Sequence, residues 1–264
     1  MVGRVTSLVL KLVVTPVLIA GASLAGRRWG QAVSGWLVGL PLTSGPVAFF
    51  LALDQGAGFA AGAAVGSLAG AIAEGAFCLA YGHLARRGAG VALAAACVAF
   101  AAVALPLQRA TLSLGGLAPL VFVALAVALA LMPAGSAPAR PSPPPRWDLP
   151  ARMVITTALV IGLTAAAPVL GPKASGLLAT FPLYAAILTV FAHAAGPGPA
   201  VQVLRGLLLG LFSFAAFFVA LGALLERVGL AAAFLGATVV ALGVQAASLG
   251  LLLATRPSSR LGRA

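Results

Sequence analysis

Carboxylates are nearly missing from this chain: Asp54, Glu74, Asp148 and Glu226 are the only four in 264 residues. None is spaced to form a catalytic pair with a histidine or serine, which removes the usual arrangements for acid–base catalysis. Histidine and cysteine are equally scarce, two of each. Neither type occurs at metal-ligand spacing, and there is no H-E-x-x-H and no G-x-x-x-x-G-K-[ST]. A zinc enzyme and an ATP-driven pump are disfavoured, the chain does not read as an enzyme, and no cofactor or metal is expected. Cys78 and Cys97 both fall in apolar runs. A small buried side chain, not a structural disulfide, is the ordinary role there.

Charge of either sign is sparse. Only 8% of residues are charged and 62% are hydrophobic, with a mean hydropathy of +1.13. A soluble globule would carry about a quarter charged residues, so the expected solvent is a lipid bilayer. The net charge of +12 does not signal nucleic acid, because the basic residues lie mostly in short connections between apolar runs. Arginine supplies nearly all of them, and Ala and Gly are abundant, a usage that fits a GC-rich bacterial genome and a bacterial cytoplasmic (inner) membrane.

What is present is apolar length. Nine runs are long enough for a helix to cross a bilayer, which takes about 20 residues: 5–26, 31–53, 57–82, 88–107, 113–132, 153–170, 174–195, 200–225 and 229–254. The stretch 134–150, AGSAPARPSPPPRWDLP, is Pro-rich and too polar for lipid, and reads as a semi-rigid linker. Ser23 and Ala25 after an apolar core also resemble a signal-peptide cleavage site. Against cleavage, run six stands to the second half as run one stands to the first.

The two halves match. At an offset of 141 residues, Gly30, Ser34, Gly35, Leu37, Pro41, Leu42 and Phe50 fall on Gly171, Ser175, Gly176, Leu178, Pro182, Leu183 and Phe191. Four runs on each side and one between them predict an all-α integral membrane protein of about nine transmembrane helices. Its parts are a first four-helix repeat (1–112), a connecting helix (113–133), the linker (134–150) and a second four-helix repeat (151–264). An odd helix between the copies turns the second one over, so the repeats are inverted.

Basic residues set the orientation. Nine crossings collect Arg27, Arg28, Arg86, Arg87, Arg140, Arg146, Arg152, Arg205, Arg256, Arg260 and Arg263 on one side. The other side holds Arg4, Lys11, Arg109, Lys173 and Arg227. Positive charge favours the cytoplasm, which places the N-terminus outside and the C-terminus inside.

Candidate functional residues cluster at the prolines. Gly39-Leu40-Pro41-Leu42-Thr43-Ser44-Gly45-Pro46 lies mid-run, and its composition predicts a break or strong kink. The partner segment Phe181-Pro182-Leu183-Tyr184 is predicted to be less broken. Paired breaks at matching depth are the sequence pointer to a transporter's site, although kinks used only for packing are common in membrane helices. Pro41, Thr43, Ser44, Gly45, Pro182 and Tyr184 are the candidate substrate contacts. Glu74 is the only acid deep within a run, and at about 2.5–3.5 kcal/mol for a charged side chain in hydrocarbon it should face a cavity, carry a proton or pair with a base. It is the candidate for proton or cation coupling; a neutral structural Glu is the plainer role. Gly58, Gly62, Gly66 and Gly70 form a ridge for close helix packing that leads to Glu74. Arg205 and Lys11 are expected to snorkel, His83 and His193 to be interfacial, and Gln245 to bond across helices.

The segment Ser175-Gly176-Leu177-Leu178-Ala179-Thr180-Phe181-Pro182-Leu183, echoed from Ser34 to Leu42, resembles the small-Gly-Leu…Phe-Pro segment of GlpM-like bacterial four-helix membrane proteins. The resemblance covers about one repeat at a time and implies a tandem fusion of two such units in an inner-membrane bundle. It implies no substrate and no site residues.

These readings converge on a secondary transporter of a small metabolite, lipid or drug-like substrate. Its partners would be the lipid bilayer and a small-molecule substrate, not nucleic acid, with room for a homo-oligomer. The alternative is a non-transporting membrane scaffold or accessory subunit whose glycine ridges bind partner helices.

Overall fold

A computed structural model describes residues 31–42, 44–110, 112–135 and 147–254, together with Val13 and Val17. The first predicted run, Lys11 and most of the linker lie outside the described residues. Among the described residues every regular element is a helix. The helices are α1 (Gln31–Val38), α2 (Ser44–Gln55), α3 (Ala57–Leu84), α4 (Ala89–Arg109), α5 (Leu114–Leu131), α6 (Asp148–Ala179), α7 (Leu183–His193), α8 (Pro197–Val228) and α9 (Leu230–Ala254), and a short 3-10 turn, Ala85–Arg87, follows α3.

Five helices are long and apolar enough to cross a membrane: α3, α4, α5, α8 and α9. They differ in burial. The most apolar stretches of α3 and α8 are 72% and 67% buried, against 22% for α4, α5 and α9. α3 and α8 therefore form the centre, and the outer three turn Val98, Val123 and Val239 outward. Apolar outward faces of this kind suit contact with lipid, where nothing is gained by hiding a methyl group from its surroundings.

Two predicted runs are not single helices. Run two is split into α1 and α2. Run seven is split at 180–182 between the end of α6 and α7, and α6 is itself two arms: Gly171 takes φ 74°, ψ 171° and separates 148–170 from 172–179. Pro172 then opens the second arm, where its missing N–H costs nothing.

Boundaries recur at the sequence offset. α1 spans 31–38 and the second arm of α6 spans 172–179. α4 follows Gly88 (φ 104°) and α9 follows Gly229 (φ 79°), turns that only glycine enters without strain. The backbone bonds of the two breaks repeat as well. Leu40 N–H donates to Leu37 O (3.2 Å), Leu42 N–H to Leu40 O (2.7 Å) and Gly45 N–H to Pro41 O (2.8 Å). Each has its counterpart 141 residues on: Phe181 to Leu178 (3.2 Å), Leu183 to Phe181 (2.7 Å) and Ala186 to Pro182 (2.8 Å). The second break is thus as complete as the first, which corrects the milder kink predicted for it. The flanking glycines do not decide the geometry. A proline without an N–H, with φ fixed near −65°, sits at the centre of a tight i→i+2 turn in both.

α3 and α8 pack antiparallel: Gly58 lies beside Glu226, and Ala64 beside Gly222. Each also receives a half-helix from the far part of the chain. α1 lies on α8, and 172–179 lies on α3.

Candidate functional site

Contacts at the breaks are closer than any side chain allows. A Cβ on Gly66 would meet the Lys173 carbonyl, and one on Gly176 the Ala63 carbonyl. One on Gly70 would meet the Thr180 hydroxyl, and one on Gly62 the Pro172 ring. The predicted ridge is therefore used, but as a bed for 172–180. At the other break, Gly39 lies against Gly210, and a Cβ on Gly210 would meet the Trp36 carbonyl. Each break is seated near the middle of a long helix.

A break frees carbonyls that lipid cannot satisfy. Because Leu40 N–H goes to Leu37, the Trp36 carbonyl has no i+4 amide, and Gln245 Nε2 of α9 donates to it at 3.0 Å. Trp36 Nε1 in turn donates to Ser248 Oγ at 2.7 Å. In the second copy the equivalent carbonyl, Leu177 O, accepts from the Thr180 backbone N–H at 3.1 Å and from Thr180 Oγ1 at 2.6 Å. The first break recruits a distant side chain, the second a local amide and hydroxyl. Gln245→Leu should therefore cost about 0.6–2 kcal/mol, read as earlier unfolding in a detergent titration, and Thr180→Val less, because the Thr180 N–H still reaches Leu177 O. No change in Gln245→Leu would mean that another group satisfies the Trp36 carbonyl.

The candidate contacts divide as follows. Ser44 and Gly45 are buried at the start of α2, with Gly45 against Pro41 Cβ and Phe217 Cζ. Pro182 is buried at the start of α7. Thr43 and the side chain of Tyr184 lie outside what the structure describes. Glu74 is buried, 6% exposed, one helical turn beyond Gly70 on the face that meets the second break. No hydrogen bond or ion pair to it is found among the described residues.

Two of the basic side chains bond to backbone carbonyls. Lys173 Nζ donates to Ala110 O at 3.2 Å. Arg205 Nη1 donates to Met132 O (2.9 Å) and Pro133 O (3.2 Å), capping the end of α5, where a positive charge is favourable. It does not simply snorkel. His83 Nε2 lies 3.2 Å from the Leu131 carbonyl at the same helix end.

One polar contact was not legible beforehand. Tyr81 OH lies 3.1 Å from His193 Nδ1, with the rings edge to face. Tyr81 is fully buried, and at i+7 from Glu74 it shares that face of α3. Its partner is 112 residues away, so no local pattern announces it. Thr189 Oγ1 on α7, Gln245 Oε1 on α9 and Gln108 Oε1 on α4 are buried without a partner among the described residues.

Compared with protein families, characterised proteins and solved structures, the chain gives no match, and the site is read from its own geometry.

Proposed function

We propose that the chain is a bacterial inner-membrane secondary transporter of about nine transmembrane helices, built from two inverted four-helix repeats joined by α5. In this reading the first run, the first arm of α6 (148–170) and the two broken helices complete the count. The observation that carries it is the pair of proline breaks with the same three hydrogen bonds, each seated on the long helix of the other copy. That exchange is the reciprocity of a two-fold relation, and α3 antiparallel to its counterpart α8 supports inversion. Inverted repeats with discontinuous helices near the midplane are the architecture of alternating access. A tandem fusion of GlpM-like units is compatible with it.

The basic residues Arg86, Arg87 and Arg205 gather at the Tyr81 end, which is assigned to the cytoplasm. Ser44, Thr180 and the partnerless Thr189 hydroxyl supply polar contacts along an otherwise apolar path, with Pro41, Gly45 and Pro182 shaping it. A site with one carboxyl and few polar groups suits a small neutral or cationic, largely apolar solute. Glu74 takes the proton or cation.

The glycine face that a scaffold would offer to partner helices is already covered by 172–180, which weighs against that alternative. Purified protein in liposomes, under an imposed pH gradient, should accumulate members of a panel of labelled amines, amino acids and lipophilic cations. If none moves faster than in protein-free vesicles, while another membrane protein copurifies in fixed ratio, the scaffold reading replaces this one.

A further inference from the structure

Packing divides the described helices in a way the sequence repeats do not. α2, α4 and 172–179 pack around α3, whereas α1, α7 and α9 pack around α8; α5 lies on both, and α3 and α8 meet along the boundary between the groups. Each group therefore holds one half of each broken helix: α2 with 172–179 in the first, α1 with α7 in the second. The chain passes between the groups within a helix only at 39–43 and at 180–182. Backbone there has lost its i+4 bonds, and a proline makes the turn.

We infer that these two groups are the moving bodies, that both proline breaks are the hinges between them, and that the Tyr81–His193 bond is the latch closing the cytoplasmic side. The inference rests on the transport reading and adds its mechanical partition. Polar links cross the boundary at the Tyr81 end: Tyr81 of α3 to His193 of α7, and Arg205 of α8 to the carbonyls after α5. At the opposite end Gly222 packs against Leu114 and Ala64, and Phe49 against Phe234. The positions equivalent to Tyr81 and His193 are Gly222 and Ala52, which have no hydroxyl or imidazole to join. The Tyr81–His193 bond therefore has no counterpart at the equivalent positions of the other side. Swinging α7 about Pro182 breaks the latch and frees Tyr81, which shares α3 with Cys78 and Glu74.

Cys78 reports this directly, since it is fully buried between Glu74 and Tyr81. In a Cys97→Ala background it is the only thiol. A membrane-impermeant maleimide applied from the cytoplasmic face of inverted vesicles should label it slowly in the parent and about tenfold faster in Tyr81→Phe, which keeps the ring and removes the hydroxyl. Labelling from the opposite face should not rise. If Tyr81→Phe does not accumulate, His193→Phe, which keeps a ring and removes both nitrogens, makes the same comparison. Equal rates from the cytoplasmic face in parent and variant overturn the latch. A rise from both faces overturns it too, because that reads general loosening. Solute flux with unchanged labelling would sink this inference and leave the transport reading standing. Faster labelling without flux does the reverse.

Discussion

Glu74→Gln is expected to reduce proton-driven accumulation to nothing. A gradient of one pH unit stores about 1.4 kcal/mol per proton, enough to sustain about a tenfold concentration ratio for a solute carried with one proton. With no titratable carboxyl on the path, the ratio inside to outside should fall to one, while exchange of solute down its own gradient continues. The substitution is well suited to the test. Glutamine has nearly the same shape, and Glu74 makes no ion pair among the described residues, so no cation is stranded by the change. The fold should hold, which leaves coupling as the quantity measured. An unchanged accumulation ratio would remove Glu74 from the mechanism.

The second large effect is structural. Gly66→Val and Gly176→Val each drive a side chain into backbone of the opposing element, the Lys173 and Ala63 carbonyls respectively. Backbone cannot rotate away as a flexible side chain does. Overpacking typically costs 1–3 kcal/mol even where side chains give way, so these variants should lose at least about 3 kcal/mol and accumulate poorly. Gly243→Ala is the contrast, because nothing lies within 4 Å of its would-be Cβ. Alanine there should gain about 0.5–1 kcal/mol through helix propensity. Detergent unfolding of the three proteins measures both signs. A Gly66→Val protein as stable as the parent would mean that 172–179 does not rest on α3.

Much of the fold was legible because it depends on local chemistry. Pro41 and Pro182 marked both breaks, and Gly62, Gly66 and Gly70 marked the ridge, because a missing N–H and a missing Cβ act where they stand. Long apolar runs marked helices for the same reason. The second break was underestimated because its glycines were counted, whereas its proline set the geometry. Which half-helix lies on which long helix was not legible. Sequence periodicity tells that a face is small, but not what fills it, and 172–179 could equally have packed within its own copy. Tyr81 with His193 and Arg205 with the end of α5 were hidden likewise, since each bond joins residues distant in the chain.

The exchange of half-helices between copies bears on how the protein is made. When α1 emerges from the ribosome, its seat on Gly210 has not been synthesised, and α3 waits as long for 172–179. The first copy therefore enters the bilayer with its glycine groove uncovered and its split helix unsupported. It should remain a loose, protease-sensitive assembly until α8 arrives. Truncation before Pro197 ought to yield a product cleared by membrane quality control, in place of a smaller stable bundle.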